Sequence, residues 1–197
     1  GNNRMWDEIW NLAFLASFLS AAVRMGVPLA YAALGETISQ KSGTINIGLE
    51  ANMLAGAFVG FAAAYKSGSL VLGFLCGMLA GACFSLLHAF FSIYLRQNQN
   101  VIGTALNLFV LGLTSYMFQV IVNQTSGAYP QISTLPLLPI PILSKIPLIG
   151  EAFFHKDIIT YLLYVIMIGM LWFLKKTVWG LSLVSVGENP QAADTVG

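Results

Sequence analysis

Long apolar runs broken by short polar punctuation dominate this chain. A hydrocarbon core of ~30 Å takes about 20 apolar residues in helical form, and five segments approach that length: 12–34, 45–65, 70–95, 101–122 and 158–174. The last three contain no Asp, Glu, Lys or Arg. The second is interrupted by Glu50, and the first carries Arg24 and Pro28, which predicts a kink or a shallow helix followed by a deeper one. The expected fold is all-α, a single polytopic membrane helix bundle over 1–197 with about five transmembrane helices and a short cytoplasmic helix near the carboxyl end.

Small residues recur every fourth position, at Gly56 and Gly60 in the second span and at Gly73, Gly77 and Gly81 in the third. Each row makes a smooth groove where another backbone can approach. The loop 123–157 holds Pro130, Pro136, Pro139, Pro141 and Pro147, a spacing that forbids a regular helix, while its apolar content predicts a partly packed cap or re-entrant piece. That cap could serve as a docking surface or simply as a connection. Lys41, Arg96, Lys175 and Lys176 fall in turns on one side, which the positive-inside rule makes cytoplasmic. The amino terminus, the Lys66 turn and the loop 123–157 then lie outside, with Lys145 and Lys156 counting the other way. Trp6 and Trp10 read as interface anchors, and Arg24 as a side chain that snorkels to the outer interface.

Composition agrees with a bilayer protein. Apolar residues make up 57% and charged residues 9%, against roughly 45–50% and 25% in soluble domains, and mean hydropathy is +0.76. A net charge of +1 without a basic cluster argues against nucleic acid as a partner. Cys76 and Cys83 lack a nearby histidine or carboxylate and read as packing residues. His88 and His155 form no ligand set or nucleophile–base pair, so no metal site and no enzymatic centre is expected.

The polar residues that remain cluster in two places. Intramembrane polar groups are the default candidates for a solute path, which singles out Asn46, Glu50 and Asn107. For Glu50 a structural role near the interface stands beside the pathway role, and Asn46 and Asn107 suit interhelical hydrogen bonds as well as solute hydroxyls. At the carboxyl end, VGENPQAADTVG places Asn189 as a cap and Pro190 at a first helical position, so a short helix along the inner membrane surface should follow. GETISQKS has the outline of a phosphate-binding loop, but Gln40 stands where the second glycine belongs and no strand precedes it, so this chain is not expected to hydrolyse ATP.

Two motifs carry a resemblance. Glu36, Ser42, Gly43 and the run Ile45, Asn46, Ile47, Gly48, Leu49, Glu50 are similar to the first cytoplasmic turn of ABC importer permeases for nucleosides and simple sugars, of the branched-chain amino acid and ribose type. Ala51 and Asn52 depart from that pattern, where a glycine and an apolar residue are usual. QAADTVG resembles the E-A-A-x-x-x-G signature of ABC importer permeases, with Gln191 in place of the glutamate. The resemblance runs from about Leu19 to Gly197.

It implies a multi-pass permease of the bacterial plasma membrane, not itself an enzyme, that translocates nucleosides or simple sugars. Its implied partners are an ABC ATPase subunit that binds the ATP, a second permease subunit, identical or related, and an external substrate-binding lipoprotein. By the same resemblance the segment 186–197 couples to the ATPase, with Glu188, Asn189 and Pro190 fixing the start of the docking helix and Ala192, Ala193 and Gly197 shaping it. Family permeases continue with further spans, so the chain is expected to be a piece from the amino-terminal part of one. The competing reading is an ATP-independent secondary transporter or channel for small polar solutes, which would need charged coupling groups deeper in the spans than Glu50. A membrane enzyme would need a cluster of acids, bases or ligands that the sequence does not display.

Overall fold

In a computed structural model of the chain, residues 12–124, 129–139 and 149–196 are described. Trp6, Trp10, Lys145, Pro141, Pro147 and Gly197 lie outside the described residues. Among the described residues the helices are, in chain order, α1 (Leu12–Lys41), α2 (Leu49–Ser67), α3 (Leu70–Ala89, continued by a π-helical turn over Phe90–Tyr94), α4 (Gln99–Gln124), α5 (Ile149–Phe154), α6 (Ile158–Lys176), α7 (Val178–Glu188) and α8 (Pro190–Val196). Two short strands, β1 (Leu138–Pro139) and β2 (His155–Lys156), pair antiparallel. The all-α class holds.

Among the described residues, four helical stretches are long and apolar enough to cross a membrane: Ala13–Lys41, Leu70–Tyr94, Gln99–Gln124 and Ile158–Lys176. α2, expected over 45–65, starts instead at Leu49 and has 19 residues, about 28 Å. Its ends are polar, with Glu50 in the first turn and Lys66 in the last, each on the side that the helix dipole favours.

The first span extends further than expected. α1 runs through Pro28 as one helix, so of the two expected forms the break into two helices is not seen. In a bilayer helix a proline is tolerated because neighbouring groups and small local adjustments satisfy the carbonyl it frees. α1 also continues to Lys41, so the whole of GETISQK is helical and not a turn. Gln40 donates to Glu36 Oε1 at 3.1 Å across one helical turn, which supports the extension.

The chain divides into two compact units. The first comprises α1 up to Leu34 together with Leu135–Leu181. Here the loop expected as a partly packed cap contributes β1, α5 and β2. Tyr161 anchors it: its hydroxyl lies 2.6 Å from the carbonyl oxygens of both Leu138 and Phe154, which share its one proton, and accepts the Lys156 amide at 3.1 Å. Lys156 is 4% exposed, and its ammonium donates to the Ser20 carbonyl at 2.8 Å and to Ser20 Oγ at 2.6 Å. It is therefore a buried tie to α1, and not a solvated loop charge to weigh in the topology count. Tyr31 donates to the Ile159 carbonyl at 2.6 Å and joins α1 to α6.

The second unit comprises Gly35–Thr134 and Ser182–Gly197. Its core is formed by Ala51 and Ala55 of α2 with Leu106 and Val110 of α4, covered by Leu54, Phe84 and Ile102. α2 and α3 meet along their glycines. A Cβ on Gly73 would lie 2.7 Å from the Gly60 carbonyl oxygen, and one on Gly77 would lie 2.8 Å from that of Gly56. The two rows of small residues thus face each other, and backbone contact replaces side-chain interdigitation. Of the cysteines, Cys76 is half-buried and Cys83 is exposed on α3.

Candidate functional site

Both polar clusters of the sequence belong to the second unit, where they form one connected assembly. Its centre is the turn between α1 and α2. Gly43, at φ +90, adopts a left-handed conformation that favours glycine, and the surrounding hydroxyls hold the reversal. Ser42 Oγ donates to the Ser39 carbonyl at 2.7 Å, and the Thr44 amide donates to the same carbonyl at 3.1 Å. Glu36 reaches across the turn, its Oε1 accepting the Asn46 amide at 3.1 Å. The Ile45 amide donates to Gln99 Oε1 of α4 at 3.0 Å.

The start of α2 is capped from a distance. Gly48 occupies the cap position and has no side chain to offer the free amides of the first turn. Asn107 of α4 supplies what is missing: its Oδ1 accepts the Ala51 amide at 2.9 Å, and its Nδ2 donates to the Ile47 carbonyl at 3.1 Å. This close fit needs Gly103, where a Cβ would lie 2.7 Å from the Gly48 nitrogen and 2.8 Å from Ile47 Cβ. His88, 4% exposed, lies beneath Gly48 with its Nε2 3.4 Å from the Gln99 carbonyl oxygen.

Among the path candidates, Asn107 has both amide atoms engaged with backbone. Asn46 Oδ1 and Glu36 Oε2 are buried without a hydrogen-bond partner among the described residues, as is Asn52 Oδ1 one turn along α2. Glu50 is exposed in the first turn of α2, nearer the helix end than an intramembrane position implies.

The carboxyl end has the geometry expected of a capped helix. Asn189 Oδ1 accepts the Ala192 amide at 3.0 Å, and the Asn189 carbonyl accepts the Ala193 amide at 3.0 Å. Pro190 opens α8 as the first helical residue, where its missing N–H is not needed. Glu188 is the last residue of α7. Sequence reasoning overlooked α7 itself and its Gly187. A Cβ on Gly187 would meet the Lys41 carbonyl and lie 2.9 Å from the Gly43 nitrogen, so the inner turn and the entry to α8 touch backbone to backbone. A signal for α7 was available, since VWGLSLVSV is a mostly apolar run too short for a span; none marked Gly187. Among the described residues, no group of three His, Cys, Asp or Glu side chains could hold a metal ion.

Residues 18–197 match the model of the family described as branched-chain amino acid transport system / permease component. Among curated proteins the chain is 37% identical over 94% of its length to TsgC13 of Haloferax volcanii, an ABC transporter permease protein whose name gives glucose. It is 37% identical over 93% of its length to the guanosine ABC transporter permease protein NupQ of Bacillus subtilis. To the nucleoside ABC transporter permease protein NupC of Lactococcus lactis it is 39% identical over 86%. The chain spans 56%, 59% and 55% of the length of these three relatives. No solved structure matches it. With the membrane helices and the two motif segments in place, these matches establish that the chain belongs to the ABC transporter permease family of the branched-chain amino acid type, a multi-pass protein of the plasma membrane.

Proposed function

We propose that this permease imports nucleosides or simple sugars, and that a separate ATPase subunit binds ATP and docks on Glu188–Gly197. An external substrate-binding lipoprotein would deliver the solute, and a second permease subunit, identical or related, would complete the path. The observation that carries this reading is the direct backbone contact of the coupling segment with the α1–α2 turn at Gly187 and Gly43. The names of the relatives, two for nucleosides and one for glucose, support the solute class.

Such a permease performs no bond chemistry. Its task is to offer two conformations with different affinities for the outer and inner partners, because only differential affinity shifts an equilibrium. Glu50, which is exposed, suits contact with solute hydroxyls better than Asn107, whose amide is occupied, or Asn46, whose unpartnered acceptor is buried. The cytoplasmic side of the α1–α2 turn follows from Lys41 in the last turn of α1 and from Lys175 and Lys176 in that of α6.

Uptake into vesicles carrying the full-length protein, its ATPase and its binding protein tests the proposal. Labelled guanosine or glucose should accumulate only when ATP is supplied. Accumulation driven by a proton gradient without the ATPase would contradict it and favour a secondary transporter.

A further inference from the structure

Gly187 and Gly43 differ in what they require. Gly43 has φ +90, so a side chain there is strained whatever the space. Gly187 has no such φ, yet a Cβ on it would meet the Lys41 carbonyl and crowd the Gly43 nitrogen at 2.9 Å, while one on Gly43 would lie 3.3 Å from both the Cα and the carbonyl oxygen of Gly187. One glycine is needed for conformation and the other for proximity.

The turn that Gly187 presses on has little slack. Ser42 and Thr44 tie it to Ser39, Glu36 holds the Asn46 amide, Gln99 holds the Ile45 amide, and Asn107 holds the first turn of α2. A displacement of the α7–α8 junction cannot be absorbed locally when it meets backbone and not a flexible side chain. It must pass to the end of α1, the start of α2 and the start of α4 together.

We infer that Gly43 and Gly187 are positioning residues that join the coupling segment to the α1–α2 turn, so that movement of an ATPase docked on α8 is delivered to the membrane helices through this one backbone crossing. The inference rests on the proposed ATP-driven function and assigns that function's transmission to two named residues.

The test uses the full-length protein in complex with its ATPase, comparing wild type, Gly187→Ala and Gly35→Ala. Gly35 is a control on the same unit, since a Cβ there has nothing within 4 Å. In wild type, ATPase docking should slow amide exchange at Ser42–Asn46 as well as at Asn189–Val196. In Gly187→Ala the ATPase should still copurify and protect Asn189–Val196, while Ser42–Asn46 exchange as in the undocked protein and solute moved per ATP falls severalfold. Gly35→Ala should match wild type. Unchanged protection and unchanged coupling in Gly187→Ala would overturn the inference, and so would a loss of coupling as large in Gly35→Ala. If Gly187→Ala fails to assemble, wild type decides: slowed exchange at Ser42–Asn46 on docking sustains the inference, and its absence overturns it. A wild-type protein that recruits no ATPase removes the proposed function itself, a result read before any variant is compared.

Discussion

Asn107 engages both halves of its amide with one stretch of backbone, the first turn of α2 and the carbonyl just before it. From the sequence it was equally a ligand for a solute and an interhelical hydrogen bond, because an amide in an apolar helix serves either use and only the partner distinguishes them. Truncation discriminates the two. Asn107→Ala should lower stability by about 1 kcal/mol, since the Ala51 amide and the Ile47 carbonyl both lose their side-chain partner. Thermal unfolding in detergent checks this; a variant of unchanged stability with weakened solute affinity would assign Asn107 to the path instead. Lys156 is a comparable case. Its charge looked like a loop residue in the topology count, and only the bonds to Ser20 reveal it as a buried tie.

At the scale of elements, the glycine rows were readable because close helix approach in a membrane demands small residues at a fixed spacing. Their mutual pairing was not readable, since a row of glycines states that something approaches and not which helix does. Gly77→Leu should therefore push α2 and α3 apart and cost at least about 1–3 kcal/mol, whereas Gly112→Leu, at a position open within 4 Å, should be tolerated. Thermal shift of the two variants compares them directly. The boundaries of α1 and α2 were misplaced at the same turn. Polar residues read as a loop, but Glu36 and Gln40 bond along α1, and Asn46 and Gly48 precede α2. The cap of α8 was foreseeable from Asn189 and Pro190, as capping is local chemistry. Asn189→Ala should destabilise α8 by about 1 kcal/mol and weaken ATPase binding by roughly fivefold, measured by titration of the ATPase against the two proteins.

On the scale of the whole molecule, composition and span length sufficed for the all-α membrane class, because the bilayer leaves few solutions for the backbone. α7 escaped notice since a mostly apolar stretch of 11 residues satisfies neither the length of a span nor the polarity of a loop. The connected site was only partly visible: its two motifs stood out by their polarity, while the contact between them spans well over a hundred residues and depends on Gly43, which the motif named, and on Gly187, which nothing in the sequence singled out. The family reading makes one demand on the whole protein, that a separate ATPase binds at the coupling segment. The direct measurement is recovery of an ATPase with the full-length protein from detergent-solubilised membranes, with Glu188–Gly197 intact or replaced by a flexible Gly-Ser segment. We predict that the ATPase accompanies the intact protein and is lost from the replaced one; an intact protein that brings down no ATPase would contradict the account.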